Sequence, residues 1–331
     1  MKKIGTLCCT ILLMVLWSCK DSGPKPRFLP PSTGGINSLM VVMDTELWKG
    51  TVGDRIRQHF AAPVLGLPQG EPKFTITQIP PQVFRGATTY SRSVLFVEQD
   101  SASLAHIKTD VYAKPQKVAV VKGVEDTDLL NGLDSLASMA ISSFKKVEIA
   151  EAQKRFTRSL SKDKAFQEEF GIQLKVPSLY TVGKREKNFV WMDIQIPKGT
   201  MNIIAYTMPK NSFSNDSTFV EDIVKMRDSI GKKYVPGPYE NTFMMTEKAF
   251  APYVFPARIG GKKAAEVRGI WEINGYPMAG PFLTYIINDE ENDRKLILEG
   301  FTFAPSEEKR NYMFELEAIL KTIDFNSQPE G

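Results

Sequence analysis

The sequence predicts an α+β protein of two layered domains, the second an antiparallel sheet with packed helices. Three observations carry this. Residues 36–160 alternate short strands, rich in valine and isoleucine, with helices of clear apolar period. Residues 161–326 are dominated by strand-like runs joined by turn signals such as Asn274-Gly275, with one closing helix. The composition is 42% apolar and 24% charged over 331 residues, enough for two ordinary cores. Collagen, long-range disorder and a multi-span membrane protein are excluded.

The first element belongs to neither domain. Met1-Lys2-Lys3 is a short cationic start, Ile4–Leu16 is apolar, and Leu16-Trp17-Ser18-Cys19 follows. The apolar run is too short to span a membrane and has signal-peptide character, giving a signal over 1–18. Leu three residues before Cys19 and Ser one residue before it resemble the bacterial lipobox. That resemblance implies cleavage before Cys19, diacylation of its sulfur (a palmitate-type anchor) and acylation of the new amine. Two or three chains anchor stably where one is marginal. Residues 19–35, Pro-, Gly- and Ser-rich, then read as a flexible tether. No Asp follows the cysteine directly, and the enterobacterial sorting rule then favours the outer membrane, periplasmic leaflet. Cys8 and Cys9 leave with the signal, so the mature globule holds neither a free thiol nor a disulfide. Loss of Lys2 and Lys3 brings 42 basic residues to 40 against 38 acidic ones, too balanced for a nucleic-acid partner.

In the first domain, 36–160, Ile36–Met43 reads as a buried strand. Asp44-Thr45 starts a helix whose Trp48, Val52, Ile56 and Phe60 recur at steps of four. Phe74–Ile79, Ser93–Glu98 and Gln116–Lys122 are strands. A helix opens at Thr127 or Asp128, with Leu129, Leu133, Leu136, Ala137, Ala140, Phe144 and Val147 on one face and charged residues continuing toward Leu160. In the second domain, 161–326, a helical turn with Phe166 and Phe170 ends at Gly171. Ile172–Val176, Phe189–Ile196 and Met201–Thr207 are strands. Asn215–Ile230 is a helix with a Thr218/Glu221 capping box, stopped by Gly231. Phe243–Thr246, Ala264–Trp271, Phe282–Ile287 and Lys295–Phe303 are strands. The last helix starts at Pro305-Ser306-Glu307-Glu308 and buries Met313, Leu316, Leu320 and Ile323, leaving 327–331 as a tail.

Several segments resemble the landmarks of a Bacteroidetes lipoprotein family known as domain of unknown function 4837. They are Glu46–Gly50, Asp228–Pro238, Met278–Phe282, Leu298–Pro305 and Lys309–Ala318. The likeness spans residues 36–325 and implies a cell-envelope lipoprotein, with no catalytic residues to carry over. The order of strands and closing helix over Gly171–Phe325 is similar to PsbP/Mog1-like sandwiches, mostly binding or assembly modules. This implies a role by analogy of fold alone.

Catalytic patterns are sparse. The two histidines, His59 and His106, have no metal-spaced partner, and no His-Glu-x-x-His motif, Cys pair or Gly-x-Ser-x-Gly elbow occurs. Neither a metal nor a cofactor is expected, and no catalytic residue is assigned. Asp289-Glu-Glu-Asn-Asp293 lacks the spacing of a calcium loop and reads as a solvated hairpin tip. The interesting feature is Lys232-Lys-Tyr-Val-Pro-Gly-Pro-Tyr239, two cations and two tyrosines about a rigid turn. Lys232, Lys233, Tyr234 and Tyr239, with Trp271 and Tyr276, form the expected partner-binding face. The chain is therefore expected to be a membrane-tethered, non-catalytic binding or assembly factor with an envelope protein or glycan as partner. The alternative is an envelope hydrolase acting on glycan or peptide.

The anchor is directly testable. Cys19→Ala should abolish incorporation of a fatty-acid probe during metabolic labelling, whereas equal labelling of the parent chain and the variant would refute lipid attachment at Cys19.

Overall fold

The computed structural model describes residues 28–214 and 217–325. Cys19, the signal, most of the tether, the expected helix start at Asn215 and the tail lie outside the described residues. The first domain contains β1 (Ser38–Val42), α1 (Thr45–Lys49), α2 (Thr51–Phe60), β2 (Thr75–Ile79), β3 (Ser93–Gln99), β4 (Leu104–Thr109), β5 (Lys117–Gly123) and α3 (Asp126–Phe156). Its sheet runs β2-β1-β3-β5-β4, with β4 the antiparallel member. Leu39, Val41, Leu95, Val97, Ala119 and Val121 bury one face under α2 and α3. Val42, Val94, Val118 and Val120 bury the other beneath Phe84, Phe96 and Tyr112. Both faces being covered, these strands read as continuous apolar runs.

The helix expected from Asp44 to Phe60 is two helices, broken at Gly50; Asp44 caps the first by accepting the Glu46 amide at 2.8 Å. Strand β4 escaped detection because none of its side chains is buried, so it carries no apolar alternation. The end of the expected tether is tied to the domain: the Thr33 amide donates to Tyr90 O at 2.8 Å and the Lys114 amide to Pro30 O at 2.9 Å.

Helix α3 has 31 residues, about 45 Å at 1.5 Å per residue. Its Leu129-to-Phe144 face fills the first core as expected. Val147 is only half-buried, and the next buried residue is Glu148, whose two oxygens each accept from Arg92 Nη1 at 2.9 Å. Ala152 and Phe156 then enter the core of the second domain. One helix thus serves two cores.

The second domain comprises α4 (Ala165–Phe170), β6 (Thr181–Glu186), β7 (Phe189–Ile196), β8 (Gly199–Pro209), α5 (Phe219–Tyr234), β9 (Met244–Thr246), β10 (Tyr253–Ile259), β11 (Lys262–Ile273), β12 (Tyr276–Asp289), β13 (Arg294–Phe303) and α6 (Arg310–Leu320). The sheet order is β10-β11-β12-β13-β8-β7-β6, all neighbours antiparallel, with β9 on β11. Helix α5 covers one face, over Phe189, Tyr206, Trp271 and Phe282. Helices α4, α6 and the end of α3 cover the other. The molecule is the expected layered α+β protein.

Four local expectations change. Ile172–Val176 is not a strand; Gln173 makes one bridge to Asp324. Helix α5 runs through Gly231 to Tyr234, and Thr218 forms no side-chain cap. A Cβ at Gly231 would lie 1.8 Å from Met244 O, so this glycine lets α5 lie against β9 rather than stopping the helix. The closing helix starts at Arg310, after Ser306 turns the chain at φ 61°. Asp289 is no solvated tip: it is fully buried, paired with Arg294 at 2.7 Å and Lys262 at 3.2 Å. On the α5 side, Arg227 is held by Glu299 at 2.7 and 2.9 Å and by Thr246 at 2.8 Å, with its guanidinium 3.4 Å from the Phe282 ring centre. Replacing such a charge by packing alone would leave the partner carboxylate unpaired.

Candidate functional site

The expected partner-binding face divides in two. Tyr234 is buried as the last residue of α5, stacked on Phe189 with ring centres 4.0 Å apart. Trp271 is likewise core, edge-on to Phe301 at 5.9 Å. Their aromatic surface completes the packing of α5 on the sheet and is not offered to a partner. Lys232, Lys233 and Tyr239 are exposed, and Tyr276 is half-buried. Tyr239 and Tyr276 meet edge to face at 5.3 Å, so the structure does bring these two together. The turn that carries Tyr239 is hydrogen-bonded to itself: the Gly237 amide donates to Thr242 O at 2.8 Å and the Thr242 amide to Tyr239 O at 3.1 Å. His59 hydrogen-bonds to Asp134 at 2.7 Å, and Arg55 pairs with the same carboxylate at the surface. Among the described residues, no three His, Cys, Asp or Glu side chains gather to hold a metal ion.

One concave site lies elsewhere, between the domains. The segment joining α2 to β2 leaves the first domain and lies on the second. Gly66, at φ +81°, is packed so tightly there that a Cβ would come within 2.8 Å of Arg268. Leu67 packs into the second core. Glu71 then accepts the amides of Lys309 and Arg310 at 2.8 and 2.7 Å. A carboxylate of one domain thereby caps α6 of the other, where the free amides and the helix dipole both favour an anion. From the first domain as well, Gln153 of α3 donates to Ala318 O at 3.0 Å, near the other end of α6.

These contacts enclose a cleft of about 220 Å³. Its apolar walls include Val64, Phe74, Ile141, Met313 and Phe314, and Leu65 and Phe255 flank it. Leu65 is 45% exposed and Phe255 37%. Four cations also line it (Lys73, Lys145, Arg268 and Arg310), with one carboxylate, Glu317. An apolar cleft with a few converging polar groups at a domain boundary is the usual form of a ligand site.

Glu317 is the electrostatic centre. It is 2% exposed and binds Arg268 at 2.7 Å, Lys145 at 2.8 Å and Lys321 at 2.6 Å. Burial works against its ionisation, but Arg268, Lys145 and Lys321 outweigh burial and hold its carboxyl well below the usual range. Lys145 responds differently. Burial pushes its ammonium below the ordinary lysine value, Arg268 and Lys321 add to the lowering, and Glu317 opposes it. Arg268 also pairs with Glu266 at 2.7 Å, whose other oxygen accepts from the Tyr285 hydroxyl at 2.9 Å. No sequence pattern marks this cluster, because its members come from parts of the chain far from one another.

Removing the carboxylate charge should be costly. Glu317→Gln keeps the shape but leaves three cations facing one another, with an expected loss of about 3–5 kcal/mol in urea unfolding at neutral pH. The sign with pH follows from the depressed carboxyl. Its stabilisation is present above the unfolded-state value, about 4.3, and is lost as pH falls through the lower folded value. The parent chain should therefore lose stability more steeply than the variant below about pH 4. A variant as stable as the parent, with the same pH profile, would refute this role.

Comparison with known families follows the same division of the chain. Residues 159–322 match the family described as Domain of unknown function (DUF4837), and residues 32–157 match Domain of unknown function (DUF8532). No curated protein matches the chain. The family-4837 likeness expected over residues 36–325 is thus confined to the second half, and the Glu46–Gly50 landmark falls in the other family. The boundary between the matches comes directly after Phe156, the end of α3. The second half of the chain is thus similar to the DUF4837 family and the first half to the DUF8532 family.

Proposed function

We propose that the chain is a cell-envelope lipoprotein, held at the outer membrane through Cys19, that binds its ligand without turning it over. The cleft between the two domains carries this reading. It joins apolar walls to converging cations at a boundary fixed from both sides, by the Glu71 cap and by α3. Glu317, the one carboxylate among its lining residues, is already engaged by three cations. Glycoside hydrolysis uses two carboxyl groups facing the scissile bond, so this lining favours binding over the hydrolase alternative. The Tyr239–Tyr276 pair, with Tyr239 exposed, is then a second surface, suited to an envelope protein or glycan. No helix among the described residues is long and apolar enough to cross a membrane, so a lipid anchor is the attachment that this reading relies on.

Native mass spectrometry of the full chain as Cys19→Ala, exposed to envelope extract, tests the reading. A small-molecule adduct of defined mass should appear and should be lost when Leu65, at the mouth, is also changed to Trp. The melting temperature of that exposed-site variant should stay unchanged. An adduct insensitive to Leu65→Trp, or none at all, would overturn the cleft as the binding site.

A further inference from the structure

We infer that the ligand of the interdomain cleft is a single-chain anionic amphiphile, a molecule with a fatty-acid-like acyl chain and a compact negative headgroup. The inference deepens the cleft reading above and rests on it. The headgroup follows from which charges are already engaged. Glu317 binds Arg268, Lys145 and Lys321. Among the described residues no carboxylate forms an ion pair with Lys73, which is half-buried in the lining. Arg310, buried beside it, directs its guanidinium to neutral acceptors: Pro72 O at 2.9 Å, Thr75 Oγ1 at 3.0 Å and Asn311 Oδ1 at 3.1 Å. The Arg310 contacts to Pro72 and Thr75 bracket Lys73 in sequence, and both cations line the cleft. An anion there gains charge-assisted hydrogen bonds in a partly desolvated site. A cation there would face the like charges of Lys73 and Arg310.

The chain follows from the shape of the apolar surface. The walls are aliphatic and aromatic, and the apolar surface continues out of the cleft along an edge strand. Phe255 and Tyr253 are alternate residues of β10 and so share one face of the sheet. Tyr253 is 47% exposed and Phe250, just before the strand, 73%. A cleft of about 220 Å³ is smaller than the usual pocket for a compact drug-sized ligand. A linear chain that fills it and runs out past Leu65 and Phe255 uses both surfaces, which a compact ring compound does not.

Isothermal titration of the full chain as Cys19→Ala, below micelle concentrations, tests the class with decanoate, decyl phosphate, decyltrimethylammonium and hexanoate. One of the two ten-carbon anions should bind saturably at one site, and the tighter of them identifies the headgroup as carboxylate or phosphate. Decyltrimethylammonium and hexanoate should each bind at least roughly tenfold more weakly, the equivalent of 1.4 kcal/mol. Lys73→Gln should weaken the anion roughly tenfold and Phe255→Ser should weaken decanoate more than hexanoate, both with the melting temperature unchanged. Equal binding of the cation, no saturable binding of either anion, or no effect of Lys73→Gln would overturn the assignment. If the envelope adduct forms and responds to Leu65→Trp while neither anion binds, the amphiphile class fails and the cleft stands; if no adduct forms, the cleft itself fails.

Discussion

Glu317 is where the two domains are obliged to agree. Its carboxylate is buried on α6, and the cations that neutralise it come from α6 itself, from β11 and from α3 of the other domain. Taking these groups out of water costs several kcal/mol per ion, and only the complete set offsets that cost. Lys145 is the one contribution from the first domain, and burial holds its ammonium below the ordinary lysine value. The arrangement therefore fixes where α3 must lie on the second domain. Any slip along the interface leaves a buried charge without its partner.

The remainder of the interface follows from that fixed point. Helix α3 begins in one core and ends in the other, with Phe144 and Phe156 three turns apart in different clusters. The segment after α2 approaches from the opposite side, tight against Arg268 at Gly66 and capping α6 with Glu71. Between these two clamps the surfaces do not close on each other, because cations line the gap together with apolar walls. A cleft remains where a purely apolar boundary would have packed shut. Its shape is held by backbone and buried charge rather than by mobile loops, which limits the ordering cost of binding a ligand there.

Much of the architecture could be read from periodicity. The Leu129–Phe144 face of α3, the Phe166/Phe170 turn ending at Gly171, the Asn274-Gly275 hairpin and the buried residues of α6 all announce themselves by spacing or turn chemistry. What escaped has physical causes. Strands β4, β6 and β10 lie at sheet edges with few or no buried side chains, and so lack the alternation that marks a strand. Gly231 looked like a helix stop because a glycine needed for close helix–strand approach and one needed for a turn are the same letter. Tyr234 and Trp271 read as available for binding because an aromatic beside a Pro- and Gly-rich turn gives no hint of burial; of the two others read this way, Tyr239 is exposed and Tyr276 half-buried. The cleft was invisible for a deeper reason. Its lining is drawn from residues 37 to 317, and each member alone is an ordinary surface lysine, core phenylalanine or helix glutamate.

The charges around Glu317 and the shared helix lock the two domains into one cooperative body. Scanning calorimetry of the full chain measures this most directly. A single transition near neutral pH, with calorimetric and van't Hoff enthalpies equal, is the predicted result. Two resolved transitions, one for each domain, would contradict it, since α3 and the Glu317 cluster would then not couple the cores they join.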